Sequence, residues 1–253
     1  MASNGLVANP TKTTLLIMNN KEEEEVEVKV GNVQITQEKA SKLLEVSIDD
    51  DLGWKNQVYG KGGLIASLNQ RTHLIRRLRN HIGAEKLRKV VDSLWTSKLW
   101  YGLQLWASVR MKEMQPKTKQ GADVQKIQNR LLKVLENKRV TDKIPVKTML
   151  ENQKMMSVNQ TAAQIKLLEM WKAKNTEDYP LKIEFQTTAR EGTTTQGDSS
   201  GKAIEVGKTN AAKKSFIGDA TRTWNRAPDE IKLAKTISSA KQRIKVYCKT
   251  LPI

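Results

Sequence analysis

Four apolar stripes with the spacing of an α-helix run through the middle of this chain, between about residues 59 and 175. Apolar residues that recur every three or four positions share one face of a helix, and another element must cover that face. No fixed-length repeat accompanies them, so a helical bundle is favoured over a solenoid. The stripes are Leu64, Leu68, Ile75, Leu78 and Ile82; Leu87, Val90, Val91 and Leu94; Val124, Ile127, Leu131 and Val134; and Val158, Ala162, Ile165 and Leu168.

The first 58 residues show the pattern of short β-strands instead. Valines that alternate with charged residues, a Gly31-Asn32 pair and another apolar run together predict a β-hairpin. Two further apolar runs predict one strand each, the second of them ending at Asp49-Asp50-Asp51. The strands are expected within residues 14–18, 26–30, 33–35 and 43–48.

Changes of composition divide the rest of the chain. Residues 187–212 are rich in Thr, Gly, Ser and Lys and are expected to be a flexible linker. A short helical element with Trp224 follows and is expected to pack back on the bundle. The predicted fold class is α+β, a short antiparallel β segment followed by a mainly α-helical region. The expected parts are 1–58 (β-rich), 59–110 and 111–186 (helical), 187–212 (linker) and 213–253 (C-terminal helical).

Charge is distributed unevenly along the chain, whose formal net charge is +17. Residues 1–58 hold 6 basic and 10 acidic side chains, whereas 59–107, 108–154 and 155–253 each hold an excess of seven basic ones. A positive field of this extent attracts polyanions and speeds their encounter. Nucleic acid is therefore the expected partner, and the alternative is a basic surface that binds nothing.

The basic side chains are densest on two consecutive predicted helices that meet near Gly83. Arginine and lysine at this density favour phosphate contacts that hold a duplex without reading its sequence. The alternative is a solvated helix face whose charges touch nothing. Trp95, Trp100 and Trp106 could stack on bases, but their leucine-rich setting favours core packing. The predicted nucleic-acid-binding residues are Arg71, Arg76, Arg77, Arg79, Lys86, Arg88 and Lys89, with His73 beside them.

Cysteine, histidine and hydropathy argue against several classes of protein. Cys248 is the single cysteine, so an internal disulfide is excluded and an intracellular location, cytoplasmic or nuclear, is expected. Only His73 and His81 accompany it, which is too few for a zinc cluster of Cys and His. No apolar run reaches the length of a membrane span, and the N-terminus lacks a signal-peptide pattern, so no membrane partner is expected.

Several separated patches follow one another along nearly the whole chain. They are residues 4–13, 42–49, 52–56, 99–102 with Trp106, 127–132, and Ser215-Phe216, Ala220, Trp224-Asn225 and Pro228. Together they resemble the C-terminal part of the reverse transcriptases of non-LTR (LINE-type) retrotransposons. The resemblance implies the end of a polymerase palm, a helical thumb and a C-terminal helical region.

The resemblance also implies roles for individual residues. Leu44, Glu45 and Val46 correspond to the family's Leu-Gly-Val hairpin that grips the primer end. Glu45 replaces the glycine and puts a bulky anion where a backbone should approach a phosphate. Lys12 corresponds to a residue that assists the departing pyrophosphate by general acid chemistry. The remaining motif positions are Asn9, Trp54, Trp224 and Asn225.

No residue of this chain matches the family's metal-binding aspartates, which are expected upstream of residue 4. Two-metal phosphoryl transfer needs carboxylates that hold the ions about 3.5–4 Å apart. Asp49-Asp50-Asp51 could hold a metal, but such a run occurs more often in a solvated turn. The chain alone is therefore expected to have no catalytic residue, to bind no metal and to be inactive, with Mg²⁺ expected only in a complete polymerase.

The expected function is thus that of a reverse transcriptase portion that holds RNA or an RNA–DNA duplex by its backbone. The missing N-terminal half of the polymerase is a candidate protein partner. Two alternatives remain open at this point: a co-opted, non-enzymatic module that binds nucleic acid or protein, and a non-functional remnant of an element.

Overall fold

Helices dominate the part of the protein that the computed structural model describes, and two small antiparallel sheets accompany them. The predicted α+β class is confirmed at this level. Within the same part of the chain, no helix combines the length and the apolar character needed to cross a membrane. The described residues are 9–18, 26–115, 118–181, 183–185, 203 and 209–253.

The first sheet is the predicted hairpin. Strands β1 (Val28–Val30) and β2 (Val33–Ile35) pair antiparallel, with Val30 opposite Val33. Gly31 occupies the turn with a φ of +63°, a conformation that glycine adopts without steric cost. The expected strand at 14–18 is not formed. In this segment Leu15 makes an isolated bridge to Gln37 and no longer ladder follows.

The second sheet corrects the expectation of a single strand over 43–48. Strands β3 (Ala40–Leu43) and β4 (Val46–Asp49) form a second hairpin, with Leu43 opposite Val46. The two residues between them, Leu44 and Glu45, have φ values of +47° and +65°. Positive φ at both central residues is what a two-residue hairpin turn requires, so the chain reverses inside the predicted strand.

The helical region follows the predicted stripes closely in α2 and α6. Leu64, Leu68 and Ile75 are buried on α2, and Val124 and Leu131 are buried on α6. These two helices pack against each other. The helices are α1 (Lys55–Tyr59), α2 (Leu64–Leu78), α3 (Ala84–Val90), α4 (Ser97–Trp100), α5 (Leu103–Trp106), α6 (Lys119–Leu135), α7 (Val146–Asn152), α8 (Val158–Asn175), α9 (Asn210–Lys214), α10 (Phe216–Arg226), α11 (Asp229–Lys232) and α12 (Ile237–Cys248).

A π-helical turn, Val91–Thr96, joins α3 to α4 and changes the second predicted stripe. Leu94 was expected in the core but is 38% exposed, whereas Trp95 is completely buried. A π turn holds more residues than an α turn and rotates the following side chains. The indole of Trp95 thereby enters the core in place of Leu94.

The buried residues form two main hydrophobic clusters. The first contains Leu68, Trp95 and Leu131, and the second contains Met170 and Trp224. Helix α8 contributes to both, and it also packs against α10 and α12. The C-terminal helices thus pack on α8. Most of the predicted linker at 187–212, and residues 4–8 of the first resemblance patch, lie outside the described residues.

Candidate nucleic-acid interface

Helix α2 turns one face to the core and the opposite face to solvent. Arg76 and Arg77 are exposed on the solvent face and make no ion pair or hydrogen bond within the described residues. Lys86, on the next helix α3, is also exposed, and its side chain makes no ion pair or hydrogen bond within the described residues. The sequence holds no acidic residue between Asp51 and Glu85. Arg76, Arg77 and Lys86 are called the free basic face below.

Two other predicted arginines stabilise the fold instead. Arg79 donates from Nη1 to the Val134 carbonyl at 2.9 Å and from Nη2 to Asn137 Oδ1 at 2.5 Å. The carbonyls in the last turn of a helix lack intrahelical partners, so these bonds fasten the end of α6 to α2. Arg71 donates to the Ser67 carbonyl at 3.2 Å and to the Ser67 hydroxyl, one turn earlier on its own helix.

Two of the predicted basic residues of α3 also have partners within the protein. Arg88 donates from Nε to Asp92 Oδ2 at 3.1 Å and from Nη1 to the Gln153 carbonyl. Lys89 pairs with Glu85 at 3.1 Å on the surface, where both side chains are largely exposed. An exposed pair of this kind is weak and can open for a ligand. Of the seven predicted binding residues, Arg76, Arg77 and Lys86 have no partner among the residues that the structure describes.

The β3–β4 turn contacts the loop after α4. Leu44 is 80% exposed, and its carbonyl accepts a hydrogen bond from the Tyr101 hydroxyl. Glu45 pairs with Lys42 at 2.7 Å, and this hydrogen bond, with the lysine charge, lowers the pKa of the Glu45 carboxyl. Val46, directly after the turn, is buried. The tip of the hairpin is thus held in place from one side and open to solvent on the other.

The N-terminal motif positions form a capped turn. The Asn9 side-chain oxygen accepts from the Thr11 backbone nitrogen at 3.0 Å and so caps the short 3₁₀ helix Pro10–Lys12. Lys12 is exposed and has no partner within the described residues. This arrangement is fully explained as local turn chemistry.

The remaining motif positions are structural. Trp54 is buried just before α1 with a φ of +58°. Trp224 is completely buried in the second cluster. Asn225 accepts from the Ala203 backbone nitrogen at 2.9 Å and donates to its carbonyl at 3.0 Å. The asparagine therefore pairs with an extended backbone as a neighbouring strand would.

The tryptophans divide into buried and exposed. Trp95 and Trp106 are buried, as the sequence predicts. Trp100 was expected in the core as well, but 51% of it is exposed. It is the last residue of α4, and the helix ends there because Tyr101 is extended and Gly102 is left-handed.

The exposed face of Trp100 lines a groove of about 520 Å³. Lys154, Lys245 and Lys249 line the same groove from the loop after α7 and from the end of α12. The sequence reasoning missed these residues because they lie far apart in the chain. The only signal for them was the general excess of basic residues in the C-terminal half. The whole groove, which these four residues and their neighbours line, is called the aromatic groove below.

Two of the three consecutive acidic residues at the end of β4 accept hydrogen bonds from neighbouring residues. Asp49 is buried and accepts from the Lys55 backbone nitrogen at 2.7 Å and from the Asn56 side chain at 2.9 Å. Asp51 accepts from the Gly53 backbone nitrogen at 2.7 Å. In the part of the chain that the structure describes, no three His, Cys, Asp or Glu side chains are grouped to hold a metal ion.

Comparison with protein-family models, with curated proteins and with solved structures finds no match to this chain. The resemblance to reverse transcriptases rests on the quoted sequence patches alone. The function proposed below rests on the placement of the basic side chains.

Proposed function

We propose that this chain binds nucleic acid by its phosphates, as the thumb-type portion of a non-LTR retrotransposon reverse transcriptase. The observation that carries the proposal is the free basic face, whose three cations are exposed and unpaired among the described residues. Arg76 and Arg77 lie in a stretch without acidic residues, and Glu85, the acidic neighbour of Lys86, is paired with Lys89. A duplex offers one phosphate charge for about every 1.7 Å of its length. Unpaired cations can meet these charges without first breaking an internal ion pair.

The geometry of the face supports backbone contacts without sequence readout. Arg76 and Arg77 are consecutive in α2, so their side chains leave the helix roughly 100° apart. Side chains that leave the helix in different directions suit separate phosphates better than one shared base edge. Because Arg79 fastens α2 to the end of α6, the helix presents these side chains from a fixed position. Contacts of this kind position a duplex and carry no sequence information.

The proposed identity as part of a polymerase draws support from the ordered sequence patches. The two-residue turn at Leu44 and Glu45 has the positive φ values that suit the glycine-containing hairpin of the resembled family. The chain alone is proposed to be inactive, with Mg²⁺ bound only in a complete polymerase whose N-terminal half would be its partner. An intracellular location, cytoplasmic or nuclear, belongs to the same proposal.

A second candidate is a co-opted, non-enzymatic module that binds nucleic acid with the same face. Glu45 favours it, because an exposed carboxylate at the hairpin tip would repel a primer phosphate. Primer extension on an RNA template with Mg²⁺ or Mn²⁺ separates catalysis from binding. We expect no templated product from the 253-residue chain, and any such product would overturn the proposed inactivity.

The binding proposal is tested by removing the three charges of the free basic face. The triple variant Arg76→Gln, Arg77→Gln and Lys86→Gln should bind an RNA–DNA hybrid of about 20 base pairs at least about tenfold more weakly, since each lost bond to a charged group contributes about 1.5–3 kcal/mol. Fluorescence anisotropy at low salt measures the affinity.

A matched control separates local contacts from net charge. Lys29, Lys39 and Lys235 are exposed lysines that have no ion pair in the described part of the chain. Changing all three to glutamine removes the same charge from other parts of the surface. We expect this control to lose less than about threefold in affinity. Equal losses in the two triple variants would contradict a specific face.

A further inference from the structure

We propose that the aromatic groove binds single-stranded nucleic acid, with one base stacked on Trp100 and phosphates on Lys154, Lys245 and Lys249. The site is separate from the free basic face. It rests on the proposed function only in taking nucleic acid as the ligand.

Trp100 differs from the other five tryptophans of the chain. The others are at most 8% exposed, whereas Trp100 is 51% exposed. A single exposed apolar residue needs no explanation on its own. Here the indole lines a groove, and the other side chains of that groove are largely polar or basic. An aromatic face beside lysines is the combination that single-strand-binding proteins use, because every base offers a π-face and every nucleotide a phosphate.

The lysines of the groove are available for a ligand. Lys154, Lys245 and Lys249 are exposed, and their side chains form no ion pair or hydrogen bond among the described residues. The one acidic side chain that lines the groove, Asp92, is paired with Arg88 at 3.1 Å. The groove therefore keeps a surplus of positive charge that only an anionic ligand can neutralise.

The placement of two of these lysines suits a chain of phosphates. Lys245 lies in the last turn of α12, and Lys249 follows the helix directly with a right-handed helical backbone, so the two residues continue the same helix face. Side chains at this spacing start about 5–6 Å apart. Successive phosphates of one strand can then contact successive lysines.

The groove also offers space and a hydrogen-bonding group for a base. Its volume of about 520 Å³ falls within the range of about 300–1,000 Å³ for small-molecule sites. Gln164 lines the groove, and its amide has no hydrogen-bond partner in the described residues, so it can donate to and accept from a base edge. In a duplex the base faces are covered by their neighbours. A single strand is therefore the form of nucleic acid that can use Trp100.

The test measures how one substitution, Trp100→Ala, changes the affinity for two ligands. Trp100→Ala should weaken binding of a ten-nucleotide oligouridine about 5- to 150-fold, the range for loss of one stacked base. Binding of the RNA–DNA hybrid should change less than about twofold, and Trp100→Phe should retain most of the single-strand affinity. The control is Leu94→Ala, which removes a nearby exposed apolar side chain that does not line the groove and should leave the single-strand affinity unchanged within about twofold.

Photocrosslinking supplies a readout that a merely structural role would not produce. An oligouridine with 5-iodouracil should crosslink to the peptide that contains Trp100, and Lys245→Gln with Lys249→Gln should reduce the yield. Equal loss of duplex and single-strand binding in Trp100→Ala, or no loss of either, would overturn the proposal. Binding of polyglutamate with the affinity of the oligouridine would also overturn it, because it would mark a site for acidic peptides.

The free-basic-face triple variant separates this inference from the proposed function. It should lose hybrid binding and keep the Trp100-dependent binding of oligouridine. A wild-type protein that binds oligouridine through Trp100 but does not bind the hybrid would contradict the proposed duplex function and support the groove. A wild-type protein that binds the hybrid but shows no dependence on Trp100 would contradict the groove alone.

Discussion

Lys166 donates a hydrogen bond from Nζ to Asp219 Oδ2 at 2.5 Å, and both side chains are almost completely buried. Lys166 also donates to the Ala107 carbonyl at 2.6 Å, and the same carboxylate accepts from the Val109 backbone nitrogen at 3.0 Å. The pair therefore connects α8, α10 and the segment after α5. Val109 packs against both main hydrophobic clusters, so this network lies where the two clusters meet.

Removing one partner of this pair should destabilise the fold strongly. Asp219→Asn leaves the Lys166 ammonium buried without a carboxylate, and we expect the free energy of unfolding to fall by about 3–5 kcal/mol. Lys166→Met should cost less, because Arg222 still contacts the Asp219 carboxylate at 3.1 Å. Urea denaturation of both variants measures the difference. A larger loss in Lys166→Met than in Asp219→Asn would contradict this account.

Asp219→Asn should also make the free energy of unfolding depend on pH. Burial lowers the pKa of Lys166 from its ordinary 10.5, and the charge of Asp219 opposes that shift. Without the carboxylate the pKa of Lys166 should fall further, so the unfolded variant binds the proton more tightly than the folded one. Stability then rises with pH up to the unfolded pKa of 10.5, and Asp219→Asn should recover relative to wild type as the pH rises toward that value. An identical pH dependence in the two proteins would be evidence against the charged pair.

Glu45→Gly should stabilise the β3–β4 hairpin. Glu45 adopts a φ of +65°, a left-handed conformation that costs an L-residue about 1–2 kcal/mol and glycine nothing. The greater freedom of glycine in the unfolded chain offsets part of this, so we expect a net gain of about 0.5–1 kcal/mol. The ion pair with Lys42 is exposed and contributes little. Glu45→Ala, which removes the charge but keeps the Cβ, should give no gain in thermal denaturation.

Thr72 and Thr221 offer a matched test of a buried hydrogen bond. Trp95 donates from Nε1 to the Thr72 hydroxyl at 3.0 Å, and that hydroxyl donates to the Leu68 carbonyl at 2.8 Å. Thr72→Val leaves the buried indole N–H unpaired and should cost about 1–3 kcal/mol. The Thr221 hydroxyl is buried without a partner in the described structure. Thr221→Val should therefore be neutral or stabilising, and equal costs would count against the assigned bond.

Cys248 should report on unfolding. It is completely buried, and burial raises the pKa of its thiol to about 12. Since the thiolate is the reactive form, we expect Ellman's reagent to modify Cys248 only after denaturation. The unfolded thiol ionises near its ordinary pKa of 9.0, so this group's contribution to stability is lost as pH rises from about 9 toward 12. Rapid modification of the folded protein at neutral pH would contradict the placement.

The sequence predicted the helix at α8 as well as those at α2 and α6, but it identified only part of the residues that α8 buries. In α2 and α6 the apolar stripe faces the main partner helix, and periodicity identifies most of the buried apolar residues. Helix α8 lies between two clusters, so Ala163, Lys166 and Leu167 are buried beside the predicted stripe. A buried lysine interrupts any apolar pattern. Its partner Asp219 is 53 residues away, a separation that local patterns cannot bridge.

The candidate interface could be predicted only in part, again because the contacting residues lie far apart in the chain. The sequence shows where cations are dense, but it does not show which of them an internal acceptor already binds. The acceptors of Arg79 and Arg88 are carbonyls 55 and 65 residues away. The aromatic groove combines residues from α4, the loop after α7 and α12, and only the tertiary fold brings them together.

The salt dependence of hybrid binding shows whether the free basic face contacts phosphates. The logarithm of the affinity should fall linearly with the logarithm of the salt concentration, by about 10³- to 10⁵-fold between roughly 50 and 200 mM if about 6–10 phosphates are engaged. The variant without the free basic face should show a slope shallower by about three, one for each lost contact. A wild-type affinity that does not change with salt, or a variant slope equal to that of wild type, would contradict phosphate binding by Arg76, Arg77 and Lys86.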